Sequence, residues 1–187
     1  MGSLFVENFY KKNNFHALKV NRVAPPAIPE PFLSLLSHLN YMTSTLSNYM
    51  DDRLQLERLD QIVVDRKLQR VIKLQTKTGI PVMLAFVEIY LTAMDDHLAQ
   101  VVIEGKEPLG RLLLQHNIAP NLSCEGLYEV EADDFLSETV KVKKGAKLYG
   151  RNSLVKNPQN QLIADSFEVL ALGPSYDHAF QPQKAGK

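Results

Sequence analysis

The chain has 187 residues, 45% of them hydrophobic and 22% charged, with Lys+Arg and Asp+Glu balanced at 21 each. Length and composition predict one globular domain or a small domain with extensions, and the zero net charge argues against a nucleic-acid footprint or attraction to an anionic membrane. The single cysteine, Cys124, excludes an internal disulfide and a multi-cysteine metal site, and no apolar run approaches the length of a membrane span.

The N-terminus lacks the basic-then-apolar pattern of a signal peptide, and Val6 stands where a myristoylation signal needs Ser or Thr. A soluble cytoplasmic or organelle-stromal protein is the expectation. Residues 1–31 are weakly patterned and end in Ala24-Pro-Pro-Ala-Ile-Pro-Glu-Pro31, whose four prolines exclude a helix there. They read as an extended, proline-rich N-terminal arm. Phe32, Leu33, Leu35, Leu36 and Leu39 then recur at helical spacing, and a second short helix covers Met42 to Met50.

From Leu54 the period changes to two. Leu54, Leu56 and Arg58 alternate with Gln55, Glu57 and Leu59, which predicts a strand. A clearer strand follows in Leu68–Gln75, then a hairpin turn at Lys77-Thr78-Gly79 with Gly79 at positive φ, then an apolar run from Ile80 to Leu91. That run is apolar on both faces and should be covered on both sides. Helices are expected at Ala93–Ile103 and Leu109–Gln115, the latter entered through Pro108. Cys124–Val130 reads as a weaker strand, Asp133–Glu138 as a helical turn, and Lys147–Lys156 with Gln161–Leu172 as a hairpin about Asn157-Pro-Gln-Asn160. The result is an α+β fold built on a six-stranded antiparallel sheet. Its domain runs over 32–173, between the arm and a polar C-terminal tail at 174–187.

Familiar chemistry-bearing motifs are absent, and His16, His38, His97, His116 and His178 are scattered without ligand spacing, so no metal and no cofactor is expected. What remains is charge where the pattern wants hydrocarbon. Arg70 shares a face with Leu68, Ile72 and Leu74, and an inward guanidinium needs an anion or a full set of acceptors. It either pairs with a carboxylate such as Glu88, itself set in the most apolar strand, or waits for a ligand. Glu168 shares a face with Ala164, Ser166 and Leu170, while Asp165 on the opposite face competes for the same role. Arg111 and Arg151 each follow a glycine and are compatible with solvation. One cation, one or two carboxylates and much hydrocarbon suit a small aromatic or cyclic carboxylic acid.

The order of features resembles the chorismate pyruvate-lyase family. The matches are Gly105-Lys-Glu-Pro-Leu-Gly-Arg111, Leu68-Gln-Arg-Val-Ile-Lys-Leu74, Tyr149-Gly-Arg-Asn-Ser153 and Met42-Thr43, together spanning about Phe32 to Leu172. The resemblance implies a six-stranded antiparallel sheet whose ligand is enclosed beneath helical flaps. It implies a cofactor-independent lyase converting chorismate to 4-hydroxybenzoate and pyruvate, for quinone biosynthesis or related aromatic synthesis. Arg70 would bind the ring carboxylate, Met42 and Leu109 would add backbone contacts from two flaps, and Glu168 would bind the 4-hydroxyl, so that Arg70 and Glu168 are the catalytic pair. An ungapped alignment from Gly150-Arg151 puts Ser166 at the glutamate position, and Glu168 requires a hairpin loop two residues longer. The same fold resembles effector-sensing domains of bacterial transcription regulators, which bind a small ligand without transforming it. That non-catalytic module and a lyase giving another hydroxybenzoate isomer are the alternatives. The expected partner is a small molecule, with no nucleic acid and no membrane span.

Overall fold

The computed structural model describes residues 4–119 and 121–172. In chain order the elements are α1 (Leu4–Lys12), β1 (Val20–Val23), α2 (Phe32–Leu36), α3 (Met42–Met50), β2 (Gln55–Val64), β3 (Lys67–Gln75) and β4 (Pro81–Tyr90). They continue with α4 (Asp96–Glu104), α5 (Leu109–Gln115), β5 (Asn121–Glu131), α6 (Asp134–Val140), β6 (Lys147–Lys156) and β7 (Leu162–Leu170). The strands form one antiparallel sheet in the order β1-β5-β6-β7-β4-β3-β2. The chain leaves β4 through α4 and α5, returns as β5, and fills the gap with β6 and β7, so that the last strand closes against β4.

The α+β antiparallel class stands, with one strand more than the six expected. The extra strand is β1, which pairs Val20–Val23 with Leu127–Val130. Nor is the segment 1–31 wholly extended. Leu4–Lys12 forms α1, which buries Phe5, Val6, Phe9 and Tyr10 against Phe86 of β4 and its neighbours. A nine-residue helix is too short to stand alone in water, so it forms because it packs on the sheet. The tail expected at 174–187 lies outside the described residues.

Period-two alternation splits the core in two. On one face Leu68, Ile72, Leu74, Met83, Ala85 and Leu170 pack against the helices α2 to α5. On the other, Val71, Leu84, Phe86, Phe167 and Val169 pack against α1 and α6. β4 is apolar on both faces because both are covered. Asp95 caps α4 by accepting from the Leu98 amide at 2.8 Å, and Asp133 caps α6 likewise through Leu136 at 2.8 Å. By contrast, α3 and α5 begin without a side-chain cap, behind Tyr41 and Pro108.

A candidate ligand site between the sheet and two helical flaps

The sheet register assembles the site. Arg70 lies opposite Val87, Val87 opposite Ser166, and Ser166 opposite Ser153, so the four form one row across β3, β4, β7 and β6. The next row runs Ile72, Ala85, Glu168 and Arg151. Arg70 and Glu168 are thus two strands and two residues apart, about 12 Å between Cα atoms from ordinary strand spacing and rise. Between them the floor is made of small side chains, Ala85, Ala164, Ser153 and Ser166, which leave an unfilled space over the middle of the sheet. Tyr41, Met42 and Thr43 at the start of α3, and Pro108, Leu109 and Gly110 at the start of α5, close it from above. The cavity volume is about 60 Å³. That is room for roughly four to six waters, about what one substituted six-membered ring displaces.

The two flaps touch where Gly110 lies against Tyr41. A Cβ at Gly110 would stand 2.7 Å from the Cβ and Cγ of Tyr41, so no side chain fits there. Tyr41 also donates through its hydroxyl to the Ile118 carbonyl at 3.4 Å, beyond the end of α5.

Arg70 is 1% exposed and has no carboxylate partner among the described residues. Its Nη1 donates to the Val102 carbonyl at 3.3 Å, and its Nε is buried without a partner. Two other side chains join it at the end of α4. Gln61 Nε2 donates to the Ile103 carbonyl at 2.9 Å and Arg58 Nη1 to the Glu104 carbonyl at 3.3 Å, while the Gly105 amide takes the Val101 carbonyl. The last four carbonyls of α4, which no helical amide can reach, are therefore all satisfied, and the negative end of the helix faces two guanidiniums. This is partial compensation. Burial, then the nearby Arg58, pulls the Arg70 pKa down to about 10. A cation so placed lacks an anion.

Glu88 does not supply one. It points to the opposite face, accepting from Gln69 Nε2 at 2.7 Å and lying 3.6 Å from Lys67 Nζ. The expectation that Glu88 partners a buried base is therefore corrected: Lys67 is surface-placed, and alternation along β3 and β4 separates Glu88 from Arg70. Asp165 is on that opposite face too, bonded by Asn152 at 2.7 Å, with its pKa raised chiefly by burial. Glu168 is the carboxylate that lines the cavity, and Ser166 lines it as well, bonded to Ser153 at 2.9 Å. Arg70, Met42, Leu109 and Glu168 thus border one space. Arg111 is partly exposed and pairs with Glu107 at 2.8 Å.

Arg151 departs most from the sequence reading. Far from being solvated, it is 0% exposed. Its Nε donates to Glu168 Oε2 at 2.7 Å, and its Nη1 to the His38 carbonyl at 2.8 Å and the Leu36 carbonyl at 3.4 Å. Its Nη2 donates to the Asn40 carbonyl at 3.4 Å. His38, whose Nδ1 accepts from the Asn40 amide at 3.1 Å and lies 3.5 Å from Arg151 Nη1, is pushed down to about 4 by burial and then by that guanidinium.

Among the described residues no group of three or more His, Cys, Asp or Glu side chains could hold a metal ion, and no helix is long and apolar enough to cross a membrane. No family model and no curated protein matches the chain. Solved structures do. PhnF from Mycobacterium smegmatis superposes with a TM-score of 0.56 at 11% identity, over 72% of this chain and 64% of that one. The effector domain of the same protein gives 0.53 at 11% identity, over 72% of this chain and 90% of the domain. The possible transcriptional regulator YydK from Bacillus subtilis gives 0.51 at 8% identity, over 66% of this chain and 61% of that one. This chain therefore spans less than two thirds of the PhnF and YydK chains it matches. At such identities the likeness is one of fold.

It overturns the lyase reading. The expected chorismate lyase, forming pyruvate and 4-hydroxybenzoate for quinone biosynthesis, rested on short motifs, whereas the solved structures that share this fold are a regulator's effector domain and a possible transcriptional regulator. The carboxylate lining the cavity, Glu168, is paired with the fully buried Arg151 guanidinium at 2.7 Å. Arg70 and Glu168 are accordingly not assigned as catalytic residues.

Proposed function

We propose that the chain is a non-catalytic, effector-sensing module that encloses a small carboxylic acid, of one aromatic or cyclic ring with a hydrogen-bond donor at its far end. The observation that carries this reading is Arg70, buried to 1% exposure, without a carboxylate partner among the described residues and with Nε unpartnered on the wall of an apolar cavity. A carboxylate there would complete the guanidinium's bonds, and the pairing would offset the cost of burying both charges. The uncapped first amides of α3, at Met42 and Thr43, are oriented by the helix to favour the same anion. Ala85, Val87 and Leu109 would hold the ring, and Glu168, an acceptor, would take a hydroxyl or amino hydrogen. The likeness to an effector domain supports the same reading. We place the module at residues 32–173, with α1 and β1 packed on the same sheet, in the cytoplasm and without a nucleic-acid partner.

The test is calorimetric titration of the purified chain with 4-hydroxybenzoate and with 4-hydroxybenzamide, the uncharged analogue. The acid is expected to bind at least about 10-fold tighter, the value of one charge-assisted hydrogen bond. Equal binding of both would overturn the reading. In parallel, incubation with chorismate is expected to release no pyruvate.

A further inference from the structure

We propose that Arg151 is a positioning residue that couples recognition of the ligand's far end to closure of the α3 flap, an inference that rests on the binding reading above. Glu168 offers two oxygens. Arg151 Nε holds Oε2, and no described residue bonds Oε1, which is therefore the acceptor left toward the cavity. The remaining arms of the same guanidinium grip three carbonyls of one segment, Leu36, His38 and Asn40. That segment runs directly into Tyr41, Met42 and Thr43, which form the cavity wall opposite the sheet. The charged and titratable groups facing Arg151 are Glu168 and His38. A ligand donor that engages Oε1 fixes Glu168, hence Arg151, hence residues 36–43. A ligand lacking that donor bonds Arg70 alone and leaves the flap as it was. Arginine is required because its rigid fork reaches a carboxylate on one edge and carbonyls on the other, which a single ammonium cannot do.

Arg151→Lys in the full chain tests this, with benzoate and 4-hydroxybenzoate as probes and amide hydrogen exchange of residues 36–43 as a second readout. The unaltered protein is expected to prefer 4-hydroxybenzoate by about 10-fold or more, since a site built for a hydroxyl rejects the analogue lacking it. It should also gain protection at 36–43 with that acid only. In Arg151→Lys the preference falls to within about two-fold, because the loss falls mainly on the acid that carries the hydroxyl. Equal weakening of both acids with the preference kept would mean Arg151 merely supports the fold, and would overturn the proposal. If Arg151→Lys does not fold, Glu168→Gln decides. It keeps the arginine's grip on the segment but can present an amide N–H where the ligand needs an acceptor. Loss of the extra protection by 4-hydroxybenzoate supports the coupling, and its persistence refutes it. Binding of both acids without preference by the unaltered protein overturns the coupling alone, whereas binding of neither overturns the reading beneath it as well.

Discussion

Arg70 is 1% exposed and has no carboxylate partner among the described residues. Burial and Arg58 lower its pKa to about 10, so the folded state binds its proton less tightly than the unfolded chain does. The cost is in force at every pH below about 10 and is relieved only as pH rises above that value. The ceiling on that cost is about 3 kcal/mol, and losing the Val102 carbonyl's partner offsets about 1 kcal/mol of any gain from removing the charge. Arg70→Met, which keeps the volume, should therefore stabilise the ligand-free protein by about 1–2 kcal/mol at pH 7, measured by urea unfolding. A loss of stability would show that Arg70 serves the fold. Gly110 makes the opposite case. A methyl group there meets Tyr41 at 2.7 Å, too close to that residue's backbone for a rotamer change to relieve. Gly110→Ala should cost about 1–3 kcal/mol and weaken ligand binding as the flaps part, seen together in melting temperature and calorimetry.

At the level of elements, the segment between α2 and α3 carries a pH dependence of its own. His38 is pushed down to about 4, so unfolded chains take up its proton below about 6.5 while folded ones do not. Stability is lost as pH falls through that window and levels off near 4. The group is only half-buried, so the loss is about 1–2 kcal/mol after screening. His38→Gln should flatten the stability profile between pH 6.5 and 4; an unchanged slope would contradict the assignment. These elements were unevenly legible in the sequence. β3 declares itself by the alternation of Leu68, Arg70, Ile72 and Leu74 with Gln69, Lys73 and Gln75, which places Arg70 on the apolar face. Arg151 escaped because Gly-Arg within a strand looks the same whether the side chain reaches solvent or three carbonyls more than a hundred residues earlier. The floor residues Ala85, Ala164, Ser153 and Ser166 escaped for a related reason. Small residues in apolar strands resemble filler, and only the register reveals that they are adjacent. α1 was missed because Phe5, Val6, Phe9 and Tyr10 make too short a stripe to announce a helix without the sheet it packs on.

Taken whole, the molecule divides its work between the two faces of one sheet. α1 and α6 cover one face with a cluster rich in aromatic rings, in which Phe9 and Phe86 lie 5.4 Å apart between centroids. α2 to α5 cover the other and leave a cavity in it. Because the clusters share only backbone, Phe9→Ala should cost about 3–4 kcal/mol in stability and leave ligand affinity within about two-fold, as expected for distant sites. A matching loss of affinity would mean that the faces are coupled. The resemblance that pointed to this fold also pointed to a lyase, and only the first part survived, since a fold does not fix a function. We propose that Arg70, buried and without a carboxylate partner among the described residues, awaits a carboxylate. The most direct test is calorimetric titration of 4-hydroxybenzoate into the unaltered chain and into Arg70→Met. Saturable binding that weakens by about 10- to 100-fold in the variant, with the fold intact by circular dichroism, is the predicted result. Undiminished binding to Arg70→Met would contradict it.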